Sequence, residues 1–239
     1  MSAPGVTLAG TARFGGTALF EDVRLSLAAG QWTCLLGPSG CGKSTLLRLI
    51  AGLETGAAFA GEIAASDGRP VAGRVAYMAQ DDLLMPWLDV AGNVALGARL
   101  RGEAEDAGRR DALIARLGLA DHAHKRPGAL SGGQRQRVAL ARTLMEERPV
   151  VLLDEPFSAL DARTRVDMQE LAAETLAGRT VLLVTHDPAE AARMGDAVWL
   201  MEGGALYAVP VPGSPAIRPV SDPETLRFGA DLLTRLRAA

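Results

Sequence analysis

The chain has 239 residues, a mass of 25.0 kDa and a formal net charge of −3, a size suited to one large α/β domain with or without a subdomain. With 48% apolar and only 4% aromatic residues, its core is built from Leu, Val and Ala. The slight acidity removes any global electrostatic reason to expect nucleic acid or anionic lipid as the main partner.

The start, MSAPGVTLAG, has neither a basic segment nor a long apolar run, so no signal peptide is expected. No stretch approaches the ~18 apolar residues of a membrane span. Val6, Leu8, and then Leu19, Val23, Leu25 and Leu27 are spaced for strands buried on one side, and WTCLLG (Trp32 to Gly37) reads as a fully buried strand. Cys34 and Cys41 fit neither a disulfide framework nor a metal site, and suit a reducing compartment.

Directly after that strand comes Gly37-Pro38-Ser39-Gly40-Cys41-Gly42-Lys43-Ser44-Thr45, which fits G-x4-G-K-[ST] ahead of a helix from Ser44 to Ala51. In such a loop the glycines let successive backbone N–H groups turn inward around phosphate oxygens, and the helix start adds its positive dipole end. Lys43 reaches the β/γ-phosphates in this reading, and Ser44 ligates Mg2+. The loop by itself does not separate ATPases from GTPases or small-molecule kinases. No N/TKxD guanine-reading sequence follows it, which favours adenine.

RVAYMA, ahead of Gln80, is a further strand. From Asp89 to Glu147 the pattern turns helical and rich in Arg, as in a helical subdomain inserted into an α/β core. Within it Ser131-Gly132-Gly133-Gln134 forms the capping-box sequence S-x-x-Q, opening the helix QRQRVALARTLM. Its paired glycines also leave bare N–H groups at a helix start, a second anion-binding surface. One phosphate loop with two phosphate-binding surfaces is most simply reconciled by two copies paired head to tail, the γ-phosphate lying between them.

VVLLDEP (Val150 to Pro156) is a buried strand ending in two acids. Asp154 is placed to hold Mg2+ through water. Glu155 is placed to orient or deprotonate an attacking water, a role worth on the order of 10²–10⁴-fold. The helix TRVDMQELAAETLA lies between the strands Val150 to Leu153 and Thr180 to Val184, a strand–helix–strand crossover. His186 ends the second of these strands. Val209 to Pro223 reads as a Pro-rich connector before a short helix around Thr225 to Arg235.

In this order the motifs resemble those of the nucleotide-binding subunit of an ATP-binding cassette (ABC) transporter, over roughly residues 6–205. GPSGCGKST resembles the Walker A motif, Gln80 the Q-loop, and Leu130 to Gln134 the LSGGQ signature. VVLLDEP resembles Walker B, Ser158 to Asp161 the D-loop, and His186 the switch histidine. Phe14 ends the first strand, where the family stacks an aromatic on adenine, often Tyr. Phe20, within LFEDVRLSL, is expected in the core instead.

The resemblance implies a P-loop NTPase fold: a RecA-like parallel sheet, an N-terminal antiparallel β part and an inserted helical subdomain. It implies an ATPase domain over 1–205, with the helical subdomain near 89–147, followed by an extension over 206–239. Its cofactors would be ATP and Mg2+, the metal held by Ser44, Gln80 and Asp154. Glu155, His186, Gln80 and Asp161 would serve hydrolysis. Lys43 and Ser44 of one copy would face Ser131 and Gly133 of a second, with Asp161 communicating across the interface.

Transmembrane permease subunits and, indirectly, a solute-binding protein would be its partners, on the cytoplasmic face of a bacterial or archaeal inner membrane. Gln80 would link the metal site to the surface that meets the permease. QDDLLMPWLDVAGNVALG, with its Pro86-Trp87 pair, resembles the nitrate/sulfonate/taurine importers, a cassette type shared with transporters of thiamine-precursor pyrimidines such as hydroxymethylpyrimidine. Two alternatives stand beside these readings. Trp87 would be a core residue of the helical subdomain, and the chain would be a stand-alone cassette of an exporter, a lipoprotein-release system or a non-transport machine.

Overall fold

The structure is a computed structural model and describes residues 3–238. The chain forms two compact units, one of Met1–Val75, Arg148–Glu155 and Ala177–Ala239, the other of Ala76–Glu147 and Pro156–Leu176. In chain order the elements are β1 (Val6–Phe14), β2 (Thr17–Leu27), β3 (Trp32–Leu36), α1 (Lys43–Ala51), β4 (Ala58–Ala65) and β5 (Val75–Met78). β5 carries the chain into the second unit, which holds α2 (Val90–Val94), α3 (Leu96–Arg101), α4 (Ala107–Arg116) and α5 (Gly132–Leu144). β6 (Val150–Asp154) returns to the first unit and α6 (Ala162–Thr175) to the second. β7 (Thr180–Thr185), α7 (Pro188–Met194), β8 (Ala197–Glu202), β9 (Ala205–Val209) and α8 (Pro223–Ala238) complete the first.

Two sheets build the first unit. β2, β1 and β4 are antiparallel in that spatial order. In the larger sheet β6, β7, β3 and β8 run parallel in that order, and β9 pairs antiparallel to β8. Every residue of β3, β6 and β7 is buried, which is why these strands read as continuous apolar runs rather than alternating ones. The fold is the α/β architecture with an antiparallel β part that the motifs imply. Among the described residues no helix is long and apolar enough to cross a membrane.

Several stretches depart from what their sequence alone predicts, each for a physical reason. In β2, Asp22 takes φ +47 and its N–H donates to Thr11 Oγ1 at 3.0 Å, opposite a register shift in β1 between Gly10 and Ala12. The bulge advances the alternation by one residue, so Phe20 is buried and Leu19 only half-buried.

AFAGEIAA carries little strand propensity, yet it forms β4 because Gly61 pairs with Gly10 across the ladder. A Cβ on Gly61 would lie 2.2 Å from Ala9 O, and one on Gly10 would lie 3.0 Å from the Phe59 ring. Two bare backbones under an aromatic cover substitute for side-chain packing.

The run from Asp89 breaks into α2 and α3, and Gly102 at φ +68 ends the latter. α8 starts ahead of its expected boundary because Asp222 caps it, accepting from Thr225 N at 2.8 Å and Thr225 Oγ1 at 2.7 Å.

Candidate active site

β3 delivers the phosphate loop. Gly37 is there because β8 passes against it: a Cβ would lie 2.4 Å from Met201 O. Gly42 is required twice, by φ +109 and by the Leu19 side chain 2.9 Å from where a Cβ would stand. As N-cap of α1, Gly42 offers no side-chain acceptor, so the first N–H groups of the helix remain available to an anion. Lys43 is buried, and its Nζ donates to Gly37 O and Pro38 O, each at 2.8 Å. No ion pair among the described residues involves Lys43. Nζ also lies 4.0 Å from Cys41 Sγ, and a buried ammonium whose oxygen partners are carbonyls favours external negative charge.

β6 brings Asp154 to the same loop, where Ser44 hydrogen-bonds its carboxylate. Burial, more than any other cause, raises the Asp154 pKa, and the charge of Glu155 adds to the rise while Lys43 and Arg48 oppose it. A hard divalent cation suits this pair, a hydroxyl and a carboxylate that is costly to leave charged alone. The described residues contain no group of three or more His, Cys, Asp or Glu that could hold a metal. Ser44 and Asp154 would hold Mg2+ together with substrate phosphates and waters.

A raised folded-state pKa makes ionised Asp154 a stability cost, since the stabilisation present at acid pH is lost as pH rises through that pKa. Asp154→Asn is therefore expected to unfold at a higher temperature than the parent at neutral pH without nucleotide, the gain shrinking as pH falls toward the ordinary carboxylate range. Melting curves against pH decide this; parallel curves would contradict it.

Glu155 follows at φ +50, one of three non-glycine residues with positive φ among the described residues. Its N–H still donates to Val184 O at 2.9 Å, so the left-handed turn comes at the last rung of the sheet and redirects the side chain. Such backbone costs on the order of 1–3 kcal/mol and persists where its surroundings enforce it. His186, exposed just beyond β7, puts Nδ1 3.1 Å from Glu155 Oε2. Lys43, Ser44, Asp154, Glu155 and His186 thus all belong to the first unit.

Phe14 stands at the end of β1, before a Gly15-Gly16 turn with φ +53 and +88, the signature of a tight hairpin. It is 40% exposed while Phe20 is 1% exposed, so Phe14 alone of the two offers a free ring face. Stacking on a base is worth roughly 1–3 kcal/mol. Phe14→Ala is expected to raise the ATP Kd about ten-fold or more, with Phe14→Tyr near the parent, as read by fluorescence titration. An unchanged Kd would assign the adenine contact elsewhere.

The second unit carries the remaining motif residues. Ser131 caps α5 and the capping box is complete: Gln134 N donates to Ser131 Oγ at 3.2 Å, and Ser131 N to Gln134 Oε1 at 2.8 Å. Gly133 has a packing reason, because a Cβ would lie 3.1 Å from Ala159 O. Gly132 has none, its nearest neighbour being an Arg135 nitrogen at 3.9 Å.

Gln136, inside the helix QRQRVALARTLM, ties α5 to the following turn. It donates to Ser158 Oγ at 3.1 Å and accepts from Ala159 N at 2.8 Å. Asp161 caps α6, accepting from Thr164 N at 3.1 Å, and the side-chain hydrogen bond of Thr164 holds its carboxyl below the usual range.

Gln80 is exposed beyond β5. The loop after it is rigid: buried Asn93 accepts from Met85 N at 2.7 Å and donates to Met85 O, Leu88 O and Asp89 O. Arg142 donates to Asp82 O at 2.8 Å and Leu83 O at 2.9 Å. On this frame Leu83 is 57% and Trp87 66% exposed. Trp87 is not a core residue.

The sequence pattern of the family described as ABC transporter matches residues 20–158. Over 230 residues the chain is 44% identical to an "Uncharacterized ABC transporter ATP-binding protein" of Haemophilus influenzae, covering 93% of this chain and 94% of that one. It is 45% identical over 236 residues to an aliphatic sulfonates import ATP-binding protein, SsuB 1, of Pseudomonas savastanoi pv. phaseolicola, covering 95% and 93%. Among solved structures, a dimeric ATP-binding cassette in a post-hydrolysis state bound to ADP and Pi matches with a TM-score of 0.77 and 28% identity, over 87% of this chain and 100% of that chain. A phosphate loop with a buried lysine, a buried strand ending in two acids, and relatives this close agree: the chain belongs to the ABC transporter family, among its ATP-hydrolysing subunits.

Proposed function

We propose that this chain powers an importer of aliphatic sulfonates or chemically similar small organic anions, as a head-to-tail pair of copies docked on separate permease subunits at the cytoplasmic face of the membrane, with a solute-binding protein delivering the cargo. The sulfonate importer ATPases of this family, at 45–49% identity, support the solute class. The observation that carries the hydrolytic assignment is Glu155 itself, turned by its left-handed backbone and met by His186 at 3.1 Å.

In this reading Lys43 and the α1 N-terminus bind the β/γ-phosphates, and Ser44 and Asp154 hold Mg2+, with Gln80 completing the metal's link to the permease surface. Mg2+ supplies charge neutralisation of the phosphates when bound. Glu155 accepts the proton of the attacking water, and His186 keeps that carboxylate in place. Gly132 supports the pairing of copies. With no packing reason for a glycine, and a cost of roughly 0.5–1 kcal/mol relative to Ala inside a helix, it leaves bare N–H groups beside Ser131 for a phosphate held by the other copy. Asp161, at the head of α6, reports across that interface.

Leu83 and Trp87 are the permease contact, two apolar side chains displayed on a loop already fixed by Asn93 and Arg142. Pre-organised aromatic anchors of this kind dominate interface energetics. Trp87→Ala is expected to lower co-purification with the permease and solute-stimulated hydrolysis in reconstituted complexes, while the ATP Kd of the isolated chain stays unchanged. Full stimulation of a Trp87→Ala complex by sulfonate-loaded binding protein would contradict the assignment of this surface.

A further inference from the structure

Arg218 is 1% exposed, lies outside every motif, and has the largest fully buried side chain among the described residues. It sits between β9 and α8 and aims its guanidinium at the end of α7. Nη1 donates to Ala192 O at 2.9 Å and to Gly195 O at 2.8 Å, and Nε to Ser214 Oγ at 3.2 Å. The two segments also bond reciprocally: Arg218 N donates to Arg193 O at 2.9 Å, and Arg193 Nε to Arg218 O at 3.1 Å. A cation at the last carbonyls of a helix satisfies acceptors that have no intrahelical partner and matches the negative end of the dipole.

α8 fixes the flank of the same helix. Phe228 and Leu232 are buried, and at Gly229 the helix faces α7, a Cβ there standing in ordinary contact at 3.6 Å from Ala189 Cα and 3.7 Å from Ala192 Cβ. α7 has seven residues, too few to hold its shape without tertiary support. Its N-cap, Asp187, accepts from Ala189 N at 2.9 Å and donates its own N–H to Thr185 Oγ1 at 3.0 Å. Asp187 follows His186 directly, so a shift of α7 reaches the imidazole within one residue.

We infer that the segment after β9 is a positioning device for His186: Arg218 and the packing of α8 hold α7 so that the imidazole meets Glu155, and the extension sets the hydrolysis rate without touching nucleotide. The inference rests on the roles proposed above for Glu155 and His186. Arg218 is a positioning residue, acting through α7.

The test is ATP hydrolysis by the 239-residue chain across ATP concentrations, for Gly229→Leu, which adds bulk where α8 faces α7, and Arg218→Lys, which keeps the charge but whose single ammonium cannot hold the α7 carbonyls together with Ser214 Oγ and Pro212 O. Gly229→Ala, whose added methyl the space accepts, is the control. Each is also made in a His186→Ala background and read by single turnover of labelled ATP. Displacing a catalytic group by about 1 Å can cost about 10²-fold, and a partial displacement predicts a kcat about ten-fold lower or more, at unchanged KM, for Gly229→Leu and Arg218→Lys. No further loss is expected when either is added to His186→Ala, because both changes remove one coupled contact.

A loss that appears in KM alone, or that repeats in full in the His186→Ala chain, would overturn the inference and leave the extension a purely structural role. Hydrolysis by His186→Ala at the parent rate would instead show that the role of His186 itself is wrong.

Discussion

Glu155→Gln is expected to lower kcat by about 10²-fold or more, leave the ATP Kd unchanged, and accumulate an ATP-bound dimer. The amide is isosteric, so the backbone at φ +50 and the contact with His186 remain possible. What it loses is the capacity to accept the water's proton. Since hydrolysis is what separates the paired copies in this mechanism, a chain that binds but cannot hydrolyse stays paired. Phosphate release at saturating ATP, together with size-exclusion chromatography with and without ATP, reads both consequences. Near-parental turnover would place the general base elsewhere.

Lys43→Ala is expected to act on binding itself. The ammonium is buried, with two loop carbonyls at 2.8 Å as its only oxygen partners among the described residues. Bound phosphate therefore gains a charge-assisted hydrogen bond at little reorganisation. Such bonds are worth roughly 1.5–3 kcal/mol, or about 10- to 100-fold in Kd. Lys43→Arg should not restore affinity, because a planar fork does not fit a pocket shaped around a compact point charge. Calorimetric titration with ATP in the presence of Mg2+ measures the change, and an unchanged Kd for Lys43→Ala would remove Lys43 from the phosphate site.

The site was legible where its chemistry is local. A phosphate loop needs a strand, particular glycines and a helix start within a dozen residues, and each requirement is visible in the string. The capping box at Ser131 and the strand ends carrying Asp154 and Glu155 are local in the same sense. What stayed hidden depends on partners far away in sequence. β4 exists because Gly61 meets Gly10, and nothing in AFAGEIAA announces that meeting.

Asn93 and Gln136 stand in helices and read as helix residues, although their amides organise the loops at 85–89 and 158–159. Arg218 sits in a Pro-rich connector, where a lone arginine reads as solvated, yet it is buried against the end of α7. The exposure of Trp87 was open in the sequence, since an aromatic in a helical region fits a core as well as a surface. The hydrogen bonds of Asn93 and Arg142 fix that loop from beneath and leave the ring outside.

The central claim is that each hydrolytic site is shared between two copies, and mixing two inactive variants tests it most directly. Ser131→Arg blocks the signature side of a composite site, and Lys43→Ala disables the phosphate loop. A mixed dimer carries both lesions in one site and neither in the other. Equimolar mixing of the two variants is therefore predicted to restore a substantial part of the parental ATPase rate, with a dependence on protein concentration. If no activity returns at any ratio, and the parental rate per chain is independent of concentration down to dilutions where the chain is monomeric, the shared-site mechanism is contradicted.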